Sequence, residues 1–100
     1  MKVNAQSVNF NADVKLIDFV QNRLNKLDQF YDKVVQSDVY LKVEKTSSKE
    51  NKIVEITVHV PKDSYIVKKQ CKSFEEAVDS ACSSLERKLV KRKEKLRANA

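Results

Sequence analysis

A strict two-residue alternation in the middle of the chain constrains its fold more than any other feature. In residues 38–45 and 53–60, apolar residues recur at every second position from 39 to 43 and from 54 to 60: Val39, Leu41, Val43, Val54, Ile56, Val58 and Val60. Successive side chains of a strand point to opposite faces, so this pattern predicts two strands with one apolar and one solvated face. Weaker alternation predicts further strands at residues 2–8 and 65–72, while the polar run 46–52 predicts a loop.

Two other segments have the spacing of amphipathic helices. Asp13 is a candidate N-cap for a helix over residues 14–30, whose apolar stripe is Leu16, Ile17, Val20, Leu24 and Leu27. Ser73 and Glu76 have the spacing of a capping box at the start of a helix over residues 74–97. The stripe of that helix is Phe74, Ala77, Val78, Ala81, Cys82, Leu85 and Leu89.

These segments predict an α+β fold in the order β-α-β-β-β-α. Three consecutive strands favour an antiparallel meander, and a right-handed crossover places the first strand parallel to the second. Each helix has one apolar stripe, so both must cover the same face of the sheet. We therefore expect a four-stranded mixed sheet with two helices packed on one face, as in double-stranded RNA-binding domains. The chain of 100 residues predicts a single domain, 1–100.

Positive charge is concentrated at the end of the last helix. Residues 86–97 contain seven basic and two acidic residues, a net charge of +5, whereas the whole chain carries +6. Five of these cations share one side of the predicted helix: Arg87, Lys88, Lys91, Arg92 and Lys95. A helix of about 24 residues is about 36 Å long, against about 23 Å for a strand of about seven residues, so the cationic turns should overhang the sheet. On the first helix, Arg23 and Lys26 lie three residues apart and share a face.

Three interpretations of the basic end remain open at this point. The cations could complement the helix dipole, although two or three would suffice. A membrane-surface helix is disfavoured, because the segment lacks Trp and Phe and its apolar stripe is needed for the core. Phosphate-backbone binding accounts best for the excess of charge. With no aromatic residues between the cations, we expect recognition of RNA shape rather than stacking on bases.

Other chemistry is not indicated. A chain without glycine cannot form a glycine-rich phosphate loop, and His59 has no partner in a triad order. The carboxylates have no metal-ligand spacing. We therefore expect no enzyme, no metal, no cofactor and no small-molecule substrate. Residues 1–10 lack the apolar core of a signal peptide, and no apolar run could span a membrane, so we expect a cytoplasmic protein with Cys71 and Cys82 reduced.

Four segments together resemble the short ribosome hibernation-promoting factors, also called ribosome-associated translation inhibitors. They are residues 19–33 (FVQNRLNKLDQFYDK), 39–45 (VYLKVEK), 73–79 (SFEEAVD) and 85–96 (LERKLVKRKEKL). The resemblance covers nearly the whole chain in the right order. It implies the same β-α-β-β-β-α fold and a non-enzymatic role.

Such a role would be binding to 16S rRNA of the small (30S) ribosomal subunit within the 70S ribosome. The resemblance implies occupation of the decoding region, exclusion of mRNA and of A- and P-site tRNA, inhibition of translation and preservation of idle ribosomes in stationary phase or stress. Carried over by position, the RNA-binding residues would be Arg23, Lys26, Arg87, Lys88, Lys91, Arg92 and Lys95. The chain stops at Ala100 without the dimerisation domain of the long family form, so we do not expect this protein alone to pair ribosomes into dimers. We expect a monomer off the ribosome.

Two alternatives come from the residues themselves. A free-standing double-stranded RNA-binding domain would share the core, but that module places its lysines at the start of the last helix, where this chain has Phe74, Glu75 and Glu76. A protein-interaction module would instead use the solvated sheet face, around Tyr40, Lys42, Thr57, His59 and Lys68.

Overall fold

A computed structural model describes residues 1–98 and has the element order expected from the sequence. Strand β1 (Lys2–Val8) is followed by helix α1 (Val14–Asn25) and a 3₁₀ turn (Lys26–Gln29). Strands β2 (Gln36–Val43), β3 (Lys52–Val60) and β4 (Asp63–Cys71) come next, and helix α2 (Phe74–Ala98) ends the described chain. The sheet has the order β1-β2-β3-β4, with β1 parallel to β2 and the other neighbours antiparallel, which confirms the predicted fold.

One hydrophobic core joins the apolar sheet face to both helices. The alternating residues of β2 and β3 are buried as predicted, apart from the half-buried Val43. They share one cluster with the stripe residues of α1 and α2, among which Leu24 and Leu85 are fully buried. The stripes of both helices pack against the apolar face of the sheet in this one cluster, so the two helices lie on the same face.

Side chains cap the starts of both helices, as the sequence indicated. The Asp13 Oδ1 atom accepts a hydrogen bond of 2.8 Å from the Leu16 amide. Ser73 Oγ accepts one of 3.2 Å from the Glu76 amide. Each bond satisfies a backbone donor that has no partner within the first turn of its helix.

Some element boundaries differ from the predicted ranges. The first helix was expected over 14–30, but its α-helical part ends at Asn25 and the last turn tightens into the 3₁₀ turn, a common ending for α-helices. Strand β2 begins and ends two residues earlier than the predicted 38–45, because its first residue Gln36 pairs with Lys2 of β1. Strand β4 starts at Asp63 rather than Tyr65, since residues 61–62 alone turn the chain between β3 and β4.

Helix α2 extends beyond the body of the protein. Its 25 residues correspond to about 37 Å of helix, and the molecule measures 50 Å along its longest axis but only 24 and 19 Å across. Leu89 is its last fully buried residue, while Leu96 is half exposed. The turns after Leu89, which we call the overhang, therefore present their side chains mainly to solvent. They contain five of the seven basic residues of the run 86–97.

Candidate nucleic-acid interface

Two adjoining grooves run along the cationic part of α2. Lys88, Lys91, Arg92 and Lys95 line the first, together with Tyr65 of β4. The second lies on the side of the 3₁₀ turn, and its lining is Phe30, Glu86, Arg87, Val90 and Lys91. Lys91 belongs to both grooves, so the structure brings five of the seven predicted site residues together on one continuous surface. We call this surface, comprising Arg87, Lys88, Lys91, Arg92 and Lys95, the α2 face.

Four of the cations on the α2 face are exposed. Lys88, Lys91 and Lys95 form no salt bridge to any residue among 1–98. Arg87 makes one long contact, 3.4 Å from its Nη2 atom to Ser84 Oγ. These side chains are therefore available to a ligand, and like charges held this close favour a polyanion.

Arg92 differs from its neighbours because its guanidinium is already occupied within the protein. It donates to Pro61 O at 2.8 Å, to the hydroxyls of Tyr31 and Tyr65 at 3.3 and 3.4 Å, and to Asp63 Oδ2 at 3.3 Å. The hydrogen bonds to Tyr65 and Tyr31 raise the pKa of Arg92 above its ordinary value. These contacts join the start of the overhang to the β3–β4 turn and to the segment after the 3₁₀ turn. These four contacts leave the Arg92 guanidinium few N–H groups to donate to a ligand, so binding of RNA by Arg92 stays a prediction.

Arg23 lies between the two helices. Its Nε atom donates to Asp79 Oδ1 and its Nη1 atom to Glu86 Oε1, both at 2.7 Å. Burial lowers the pKa of the Arg23 guanidinium, but the hydrogen bonds to Glu86 and Asp79 outweigh that effect and raise it. The structure therefore gives Arg23 two carboxylate partners inside the molecule, and its RNA-binding role also stays a prediction.

Lys26 is exposed at the first position of the 3₁₀ turn. It lines a separate groove with Phe19, Asn22, Arg23 and Asp79. The structure therefore does not place Lys26 in either groove of the α2 face. The carboxylates of Asp79 and Glu86, which hold Arg23, belong to the side of α2 that faces α1.

Three cations outside the predicted set lie around the other side of the overhang. Lys33, Lys93 and Arg97 line a hollow with Tyr31, Asp32 and Leu96. Lys93 and Arg97 were visible in the basic run, but Lys33 comes from the segment before β2. Only the packing of that segment beside α2 brings Lys33 close to them, so spacing along the chain could not have found it.

Two titratable sites outside the grooves have defined environments, namely the His59–Asp38 pair and Cys82. His59 Nε2 lies 2.8 Å from Asp38 Oδ2, on the solvated sheet face. Hydrogen bonds from His59 and then Asn4 lower the pKa of Asp38. Burial raises the pKa of the Cys82 thiol to about 12, so this side chain packs as an apolar group at neutral pH.

Residues 1–98 contain no group of three or more His, Cys, Asp or Glu side chains that could hold a metal ion. Across the same residues, no helix combines the length and the apolar character that crossing a membrane requires.

Comparisons with known proteins identify a family that covers almost the whole chain. Residues 3–97 match the family model described as sigma 54 modulation protein / S30EA ribosomal protein. A ribosome hibernation promoting factor from Pseudomonas putida strain KT2440 is 30% identical over 95 residues, covering 95% of this chain and 89% of the relative. Those of Klebsiella oxytoca and Escherichia coli K12 are each 30% identical over 97 residues, covering 97% of this chain and 98% of theirs.

Solved structures show the same fold. The N-terminal domain of Thermus thermophilus Protein Y superposes with a TM-score of 0.79 at 22% identity, covering 91% of this chain and 98% of that one. A ribosomal subunit interface protein from Coxiella burnetii gives 0.82 at 18% identity, covering 94% and 99%. A family model matches residues 3–97, and relatives 30% identical to this chain are covered over 89% and 98% of their length. The chain therefore belongs to the ribosome hibernation promoting factor family, a non-enzymatic family of ribosome-binding proteins.

Proposed function

We propose that this protein binds the 30S ribosomal subunit in the decoding region, through phosphate contacts with 16S rRNA. The exposed cationic surface of α2 carries the proposal, since it belongs to a chain whose relatives are named ribosome hibernation promoting factors. Bound there, the domain occupies the space of mRNA and of A- and P-site tRNA. Translation stops, and idle ribosomes are preserved in stationary phase or stress. The protein acts in the cytoplasm and as a monomer when off the ribosome.

The physical basis of binding is release of counterions from the rRNA backbone. Each phosphate neutralised by a Lys or Arg makes the logarithm of affinity fall with the logarithm of salt concentration, with a slope of about 0.7 to 0.9 per contact. Lys88, Lys91 and Lys95 are exposed and carry no salt bridge within residues 1–98, so they supply these contacts at the smallest desolvation cost. Phosphate contacts orient a protein without reading base sequence, so the shape of the rRNA sets its position.

The test compares two variants with the same loss of charge. In the first, Lys88, Lys91 and Lys95 are changed to Gln; in the second, Lys42, Lys45 and Lys49, exposed on β2 and in the loop after it, are changed to Gln. Cosedimentation with 30S subunits is measured across a range of salt concentrations. We expect the first variant to lose affinity and about two to three units of salt slope, and the second to change little. Equal losses in both variants would mean that net charge, rather than the α2 face, drives binding.

Steric occlusion has its own test. Subunits loaded with mRNA and P-site tRNA should bind the protein less tightly than vacant subunits, and excess protein should displace the tRNA. Equal binding to loaded and vacant subunits would place the site elsewhere on the 30S particle.

Acidic residues at the start of α2 disfavour the alternative of a free-standing duplex-RNA module. Glu75 and Glu76 occupy the first turn, where such a module would present lysines to a phosphate backbone. A plain RNA duplex should therefore compete weakly for the protein against 30S subunits.

A further inference from the structure

The groove beside the 3₁₀ turn contains an aromatic ring next to the cations of α2. Phe30 follows the turn, and its amide donates to Leu27 O at 3.0 Å, which holds the residue against the helix end. The residue remains 36% exposed, although the neighbouring Leu27 and Tyr31 are buried. Together with Val90, Phe30 supplies the apolar surface of a groove of about 360 Å³.

Charged side chains form the remainder of this groove. Arg87 and Lys91 contribute two exposed cations. The single acidic member, Glu86, is paired with Arg23 through a hydrogen bond of 2.7 Å, so its negative charge is largely neutralised. The groove thus combines an exposed aromatic ring with two cations that reach outward on the same side.

We propose that this groove binds one unpaired nucleobase of an RNA strand, stacked on Phe30, while Arg87 and Lys91 contact the adjoining phosphates. This inference rests on the proposed function and adds a base contact to its phosphate contacts. Unstacked RNA bases bind aromatic rings and guanidinium planes in this way, whereas the bases of a duplex are covered on both sides by their neighbours.

Charge favours a nucleotide over an apolar protein side chain as the occupant. A purely apolar group would fill the space beside Phe30 and Val90 but would leave Arg87 and Lys91 without partners. A nucleotide satisfies both halves of the groove, because its base is a flat apolar surface and its phosphates are anions. Lys91 also lines the groove with Lys88 and Lys95, so the same strand can continue along the α2 face.

The first experiment separates stacking from charge with two variants of Phe30. Phe30→Leu retains an apolar side chain but removes the ring, whereas Phe30→Tyr retains the ring. We expect Phe30→Leu to bind 30S subunits about 5- to 150-fold more weakly, with an unchanged salt slope, and Phe30→Tyr to bind like the wild type. Both variants should bind polyphosphate, a polyanion without bases, as tightly as the wild type does. Thermal unfolding of each variant verifies that the fold is retained at the assay temperature.

The second experiment detects the base directly. The chain has no tryptophan, so Phe30→Trp introduces its single indole, and protein-free 16S rRNA adds none. Stacking should quench this fluorescence when the rRNA is added. In the control, Tyr40→Trp places the indole at a position 44% exposed on the opposite sheet face, where no quenching is expected.

Two results would overturn the nucleobase site. In the first, Phe30→Leu binds 30S subunits with wild-type affinity. In the second, Phe30→Leu binds 30S subunits more weakly but rRNA does not quench the fluorescence of Phe30→Trp, which would assign the groove to a ribosomal protein. Failure of the proposed function has a different signature. The wild type would then either not bind 30S subunits at all or bind subunits loaded with mRNA and tRNA as tightly as vacant ones.

Discussion

Replacing Arg23 should destabilise the fold while leaving the salt dependence of 30S binding intact. The magnitude follows from its two carboxylate contacts. Glu86 and Arg23 have side chains only 22% and 14% exposed, so a charge-assisted hydrogen bond between them contributes about 1–2 kcal/mol. Asp79 is 61% exposed, so solvent screening limits its contribution to about 0.5 kcal/mol. Arg23→Ala should therefore lower the free energy of unfolding by about 2 kcal/mol, which for a domain of this size corresponds to about 8–16 °C in Tm.

The assay measures urea unfolding and salt-dependent 30S cosedimentation on the same samples, well below the lowest Tm. Arg23→Lys retains the charge but cannot donate to both carboxylates in the geometry of a guanidinium, so we expect an intermediate loss of stability. Lys15→Gln, an exposed cation lost from the same helix, is the control and should change neither quantity. In a double-mutant cycle, Arg23→Ala and Glu86→Ala should couple by about 1 kcal/mol or more.

The result that would refute this reasoning is specific. If Arg23→Ala unfolds like the wild type but loses about 0.7 to 0.9 units of salt slope, the guanidinium contacts a phosphate and its carboxylate bonds contribute little. Arg23 would then have the RNA-binding role that the family resemblance implies for it.

Two further predictions concern the sheet. Asp38 has a pKa below its ordinary value, so its interactions stabilise the fold above about pH 4 and are lost as the pH falls through the folded-state pKa. In urea unfolding between pH 3 and 7, Asp38→Asn should therefore lose less stability on acidification than the wild type, and parallel curves would contradict the assignment. Lys62 has a φ of 68° in the two-residue turn before β4, a conformation that costs a residue with a Cβ atom. Lys62→Gly should raise the free energy of unfolding by about 0.5–1 kcal/mol, whereas Lys62→Val should lower it.

Local patterns carried most of the information about the fold. The alternation around Leu41 and Ile56 predicted which faces of β2 and β3 are buried, and the helical spacing around Leu24 and Leu85 predicted both stripes. The sequence shows this periodicity because a strand buries every second side chain, whereas a helix buries side chains three and four positions apart. The end of α1 was missed because a tightening into a 3₁₀ turn leaves that spacing nearly unchanged.

The site was less accessible from the sequence, because its arrangement depends on pairs of residues far apart in the chain. The basic run 86–97 contains no aromatic residue, yet Phe30 lies beside Arg87 and Lys91 because the 3₁₀ turn packs on α2. In the same way, no spacing could show that Arg92 meets the hydroxyls of Tyr31 and Tyr65. Charge density in the sequence located the surface, but only the fold distinguishes cations with internal partners from exposed ones.

Apart from the exposed Arg87, the predicted site residues divide by type, because the arginines have internal partners and the lysines are exposed. Arg23 and Arg92 each connect separate elements, a task suited to a planar guanidinium with five donors in fixed directions. Lys88, Lys91 and Lys95 carry compact charges on flexible stems, which can follow phosphates whose positions vary along folded RNA. Exchanging the two types should therefore be asymmetric. Arg92→Lys would loosen the overhang, because a lysine cannot donate to both Tyr31 and Pro61 in the geometry of a guanidinium. Lys91→Arg would preserve both the positive charge and the proposed phosphate contact.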